Sequence, residues 1–226
     1  MSQREYSHKA DLTRARRDLV EVCTRMYDRG YIVSGDGNVS VRVGERRLLV
    51  TPSGKRKGFL KPEDMVLCDL AGTPVRGEKH VPSSEIAMHV TVYEERPDIN
   101  AVVHAHPPIA IAHTIAGVSL ATPLMPEAYC ELGEVPTLPY TTPTTLEVPH
   151  ALREPVKSCC ALIMQRHGSI TLGPTLAKAY DRLEILEHVA KISLLARTLS
   201  PTGEVEGLKS DQLAKLQTFL GCGLGC

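Results

Sequence analysis

Residues 101–107 read Ala101-Val102-Val103-His104-Ala105-His106-Pro107, an apolar run that carries two histidines and is closed by a proline. A short β-branched run of this kind marks a strand. Residues two apart on a strand share a face, so His104 and His106 project together from a rigid support. Two imidazoles so placed can grip one metal ion or line a polar patch of a sheet. The neighbouring segments decide what kind of sheet this is. Upstream, residues 83–95 set Ile86, Val90 and Tyr93 on one stripe behind Pro82 and stop at Pro97. That pattern predicts a helix with Ser83 or Ser84 near its N-cap. Downstream, residues 109–115 predict a short helix.

Farther out, Ala15, Leu19, Val22, Cys23 and Met26 follow helical spacing, with Asp11 or Thr13 to start the helix and Gly30 to end it. Residues 39–43 and 47–51 surround Gly44 and Glu45 and predict a hairpin. Residues 65–70 and 160–165 predict two further strands. The stretch 117–149 is rich in Pro and Thr and is expected to wander over the surface, with 134–138 extended. Residues 175–199 carry Leu176, Ala179, Tyr180, Leu183, Leu186, Ala190 and Leu194 at helical spacing, the longest helix. Helices against a sheet that contains a hairpin predict an α/β fold, a single layered domain whose central sheet is mixed and mostly antiparallel.

The length of 226 residues suits one domain over 1–226, with 1–10 and 200–226 as peripheral or flexible tails. The 26 basic and 26 acidic residues cancel, which argues against a nucleic-acid or membrane-surface partner and for a small molecule. Residues 1–18 hold no apolar stretch long enough for a signal peptide or membrane span, so a cytoplasmic protein is expected. The 7 cysteines include no C-x-x-C pair. Cys159 and Cys160 are expected as small buried hydrophobes and no disulfide is implied. Cys222 and Cys226 are expected in a frayed terminus.

Chemistry gathers in four further places. In Ser34-Gly35-Asp36-Gly37-Asn38-Val39-Ser40, two glycines admit a ligand to the backbone and Asn38 and Ser40 add side-chain hydrogen bonds. The same loop also reads as a tight turn into the hairpin. Thr51-Pro52-Ser53-Gly54-Lys55 repeats a hydroxyl and a glycine after a strand, without the spacing of a P-loop. Pro82-Ser83-Ser84-Glu85 offers hydroxyls and free N–H groups at a helix start, where a phosphate can sit. Glu85 there can also be an acid favoured by the helix dipole. Finally, His167-Gly168 follows a strand, and His167 can complete the three protein ligands that a catalytic zinc needs beside its open position. His8, His80, His89, His113, His150 and His188 lack such a partner motif and are expected to be structural or exposed.

Gly37-Asn38-Val39-Ser40, Thr51-Pro52-Ser53-Gly54, Pro82-Ser83-Ser84-Glu85, His104-Ala105-His106 and Arg166-His167-Gly168, in that order, resemble the class II aldolase/adducin family, nearest its L-fuculose-1-phosphate aldolases. The resemblance implies Zn2+, or else Mn2+ or Co2+, on His104, His106 and His167. It implies a substrate phosphate held by Asn38, Ser53, Gly54, Ser83 and Ser84, and Glu85 as acid/base. The implied reaction cleaves a ketose 1-phosphate reversibly to dihydroxyacetone phosphate and an aldehyde through a metal-stabilised enediolate. It also implies a homotetramer with active sites at subunit interfaces. The family's fuculose aldolases carry a tyrosine after the His-x-His strand, contributed by a neighbouring subunit. The simplest alignment puts Met125 there, leaving Tyr129 or Glu127 as the acid on the aldehyde oxygen. The alternatives are a ribulose-5-phosphate 4-epimerase, a methylthioribulose-1-phosphate dehydratase, and a non-enzymatic adducin-like assembly module. The resemblance gives the dehydratases no glutamate at the position of Glu85 and the related decarboxylases a lysine, so Glu85 favours an aldolase.

Overall fold

The computed structural model describes Tyr6 and residues 11–221; the expected frayed cysteines Cys222 and Cys226 lie outside the described residues, as does His8. Seven strands share one sheet: β1 (Asn38–Val43), β2 (Arg47–Val50), β3 (Val66–Cys68), β4 (Ala101–Ala105), β5 (Thr137–Leu138), β6 (Ala161–Met164) and β7 (Gly168–Gly173). Their order is β3-β2-β1-β4-β7-β6-β5. Every neighbouring pair is antiparallel except β5 with β6, which makes the sheet mixed as the sequence predicts. The helices are α1 (Asp11–Asp28), α2 (Ile86–Glu95), α3 (Pro108–Ala116), α4 (Pro126–Leu132), α5 (Glu147–Leu152), α6 (Leu176–Leu199) and α7 (Ser210–Leu220).

The apolar run of β4 is continuous because both faces of this central strand are covered. Ala101, Val103 and Ala105 pack with Leu19 and Met26 of α1 and Leu183 of α6. Val102 packs on the opposite face with Met88 and Val92 of α2 and Leu152 of α5. Each fully buried Val, Leu or Met side chain among these stabilises the fold by about 1.5–3 kcal/mol. By the two-residue period of a strand, His104 shares the face of Val102 and looks toward α2.

Several expectations are corrected. β7 escapes the sequence reading, because its Gly168-Ser169 start resembles a turn; its polar Ser169 and Thr171 are fully buried, and Thr171 Oγ1 donates to Ala179 O at 2.8 Å. The stretch 117–149 holds α4 and the start of α5, while β5 falls within the expected extended run 134–138; Pro126 occupies the first turn of α4, where its missing N–H is harmless. α2 starts at Ile86, so neither Ser83 nor Ser84 caps it. Pro82 is bridged to Pro52 and Ser83 N donates to Thr51 O at 3.0 Å, which holds the chain to the 51–54 segment through Ser83; Ser84 and Glu85 then turn into the helix, with Ile86 N donating to Ser83 O at 3.0 Å. Cys160, like Cys130, is disulfide-bonded, whereas Cys159 is a free buried thiol. Consecutive side chains of extended backbone point oppositely, so the two neighbours meet different surroundings.

Candidate metal centre

His104 stands beside Asn38 of β1 and Ile170 of β7 in the register of the sheet. His106 follows the strand, and its backbone N–H donates to Tyr31 O at 2.8 Å. His167 comes from the turn between β6 and β7. There Arg166 adopts φ 59°, a left-handed conformation costly for a side chain of its size, and its N–H donates to Thr114 Oγ1 at 3.0 Å. The turn brings the three rings to centroid separations of 5.0, 5.0 and 5.3 Å. One ligand atom from each lies within 4.8 Å of the others. Gly168 makes this approach possible, since a Cβ would collide with Ala105 O and meet His106 Cδ2 at 2.8 Å. Gly37 does the same for the β1 entry: it has φ +68°, and a Cβ would lie 2.9 Å from His104 O.

A hydrogen bond behind the His104 ring sets its tautomer. His104 Nδ1 lies 2.8 Å from Ser169 O; a carbonyl only accepts, so Nδ1 carries the proton and Nε2 of the neutral ring is a bare lone pair. His106 Nδ1 faces Asp36 Oδ2 at 3.5 Å. His106 Nε2 lies 3.1 Å from His104 Nε2. Glu85 reaches in from the residue before α2, Oε2 at 3.3 Å from His104 Nε2 and Oε1 at 3.2 Å from His167 Nε2. Lone pairs of imidazole and carboxylate therefore converge on one point, an arrangement that a cation relieves and that fits a divalent metal. Burial, followed by the neighbouring His104 and His167, pushes the pKa of His106 down to about 3, which keeps it neutral and able to ligate.

The cluster opens on a cavity of about 300 Å³ lined by Asn38, Ser53, Gly54, Ser83, Ser84, Glu85, His106 and His167. The Pro52–Pro82 bridge and the bond from Ser53 N to Val81 O, 2.9 Å, lay the 51–54 and 81–84 segments side by side. Ser53, Gly54, Ser83 and Ser84 thereby form one wall opposite the histidines. A larger groove of about 690 Å³ runs along α6, where Arg29, Glu184 and Glu187 are already engaged. Arg29 pairs with Glu184 at 2.6 Å, and Glu187 accepts the Ile109 and Ala110 N–H groups at 2.9 Å.

Three cavity residues escape the sequence reading. Lys57 is buried and its Nζ donates to Gly35 O and Lys55 O, both 3.0 Å, joining two loops of the cradle. Asp36 lies inside a quoted loop but only its distance to His106 reveals it. Thr144, at φ 65°, overhangs the cavity with Pro143. Lys55, the cation adjoining the second motif, instead pairs with Asp64 at 2.5 Å. Tyr129 does not line the cavity of its own chain; its hydroxyl accepts from Gln217 of α7 at 2.9 Å.

The profile of the Class II Aldolase and Adducin N-terminal domain family matches residues 17–194. L-fuculose phosphate aldolase of Methanococcus vannielii is 37% identical over 179 residues, covering 78% of this chain and 94% of the relative. The 3-oxo-tetronate 4-phosphate decarboxylase of Haemophilus influenzae is 31% identical over 178 residues, covering 77% of this chain and 84% of the relative. Among solved structures, L-fuculose-1-phosphate aldolase from Thermus thermophilus superposes with a TM-score of 0.74 at 31% identity, covering 85% of this chain and 98% of that one. By match, likeness and the three-histidine site together, the chain belongs to the class II aldolase and adducin N-terminal domain family.

Proposed function

We propose that the chain is a zinc-dependent class II aldolase that reversibly cleaves a ketose 1-phosphate to dihydroxyacetone phosphate and an aldehyde. The observation that carries this is the convergence of His104, His106, His167 and Glu85 opposite a wall of hydroxyls and backbone N–H groups. His104, His106 and His167 would hold the ion, which supplies a Lewis acid for negative charge developing on substrate oxygen. Asn38, Ser53, Gly54, Ser83 and Ser84 hold the phosphate, and Lys57 lends that cradle positive charge. Binding energy from the phosphate fixes the reacting carbons at the mouth of Glu85.

Glu85 moves the proton. In condensation its carboxylate takes a proton from the hydroxymethylene carbon of dihydroxyacetone phosphate, and in cleavage it returns that proton to the same carbon. Tyr129 is assigned to the aldehyde oxygen, contributed from a second subunit of a homotetramer, since within one chain it lies outside the cavity. Cytoplasmic residence is part of the same proposal; among the described residues no helix is long and apolar enough to cross a membrane.

A second reading, decarboxylation of a 3-oxo acid phosphate, is favoured by relatives such as that of Haemophilus influenzae. The test is a panel of fuculose, rhamnulose and 5-deoxy- or 5-methylthio-ribulose 1-phosphates offered to the zinc-loaded protein with coupled detection of triose phosphate. Release from at least one is expected. No triose phosphate from any, with carbon dioxide released from 3-oxo-tetronate 4-phosphate, would replace the aldolase by the decarboxylase.

A further inference from the structure

We infer that His89, which does not line the cavity, is a positioning residue that fixes Glu85 through a buried one-way chain of hydrogen bonds running from Tyr93 to the carboxylate. The inference rests on the aldolase reading for the role of Glu85. Its geometry is a zipper between a helix and a strand. Glu85, His89 and Tyr93 are four residues apart and so lie along one side of α2 and its leading turn. Asn38 and Ser40 are two apart on β1 and share a face. Four of these five residues are nearly sealed from water: His89 and Ser40 are 0% exposed, Asn38 2% and Tyr93 5%.

The direction of the chain follows from what each atom can do. Asn38 Nδ2 donates to Glu85 Oε2 at 2.9 Å, and a carboxylate only accepts, which fixes the orientation of the amide. Asn38 Oδ1 therefore faces His89 Nε2, 2.5 Å away, and being a carbonyl oxygen it requires the proton to sit on Nε2. His89 Nδ1 is then an acceptor, met by Ser40 Oγ at 2.7 Å. Ser40 Oγ has given its one proton to His89 Nδ1, so Tyr93 OH is the donor to Ser40 Oγ at 2.8 Å, its proton shared with Ser40 O at 3.0 Å. Arg42 closes the far end, its guanidinium 4.6 Å from the Tyr93 ring centroid and its NH2 donating to Tyr93 O at 2.5 Å.

A buried network of this kind is costly unless each member is satisfied, and here each donor finds its acceptor. The outcome is an asymmetric carboxylate. Oε2 is anchored by Asn38 and also lies 3.3 Å from His104 Nε2, whereas Oε1 meets only His167 Nε2, at 3.2 Å, and is not held by the chain. Oε1 is the oxygen left to exchange a proton with substrate. His89 contributes by holding the Asn38 amide the right way round; without it the amide can turn and present its oxygen to the carboxylate.

The experiment compares wild type, His89→Leu and His89→Gln, each zinc-loaded, on whichever ketose 1-phosphate of the panel wild type cleaves. His89→Leu should lower kcat about ten- to hundredfold with KM and zinc content near wild type, the scale on which a small misplacement of a reacting group acts. Glutamine carries an amide N–H that can replace Nε2–H, so His89→Gln should recover most of the loss. Unchanged kcat in His89→Leu, a joint loss of zinc, or no recovery in His89→Gln would overturn the relay. A readout that needs no turnover is the ring-nitrogen shifts of His89 in isotopically labelled wild type. A proton on Nε2 is expected, and one on Nδ1 would sink the scheme. If wild type cleaves nothing in the panel, the aldolase reading alone fails and the tautomer still decides the relay.

Discussion

His104→Ala is expected to give a folded protein that cannot retain zinc through dialysis and has no measurable aldol cleavage. His104 is the ligand most tightly built into the sheet: it is 0% exposed, flanked by strand neighbours on both sides, and held through Nδ1 by Ser169 O. Removing even an outer partner of a metal-binding histidine typically costs about 10–100-fold in affinity, so losing the ligand itself should exceed that range. Loss of the Lewis acid removes several kcal/mol of transition-state stabilisation, about a thousandfold or more in rate. Metal analysis after dialysis, beside the triose phosphate assay, checks both halves. Full zinc retention would show that the ion sits elsewhere.

Glu85→Gln should separate the two functions that His104→Ala removes together. Glutamine keeps the shape and one oxygen to accept from Asn38, so the wall and the histidines stay in place. It cannot take a proton from carbon. Turnover should fall about a hundredfold to ten-thousandfold, the usual range for a positioned acid/base, with zinc content and phosphate affinity near wild type. Retained turnover would remove Glu85 from proton transfer while leaving the metal site standing.

Which parts of this protein are legible in its sequence follows from the range of the interactions concerned. β4, α1 and α6 are readable because one face or both are apolar with a clear period. β7 is not, since Gly168, Ser169 and Thr171 are small or polar for the sake of contacts with β4 and α6 that only folding creates. Local signals place the start of α2 at Ser83, but the tertiary pairing with the 51–54 segment overrides them. His104, His106 and His167 stand out as residue types near strand ends. Their partners do not: Ser169 contributes a backbone carbonyl, which every residue has, and Asp36 is one acid among many. His89 reads in sequence as a lone helical histidine because its partners, Asn38 and Ser40, are some fifty residues away.

The cavity is assembled from β1, the 51–54 and 81–85 segments, the end of β4 and the β6–β7 turn, segments far apart along the chain. Such pairings are slow to form, because the entropy of closing each long loop is spent before the contact is made. In the unfolded chain His104 and His106 are neighbours but His167 is remote, so the full ligand set exists only after β4 has docked between β1 and β7. An ion that binds at that late stage leaves the folding rate nearly untouched and lowers the rate of unfolding instead. An ion held by the three histidines would thus be a brake on the opening of the sheet, applied only once the sheet has closed.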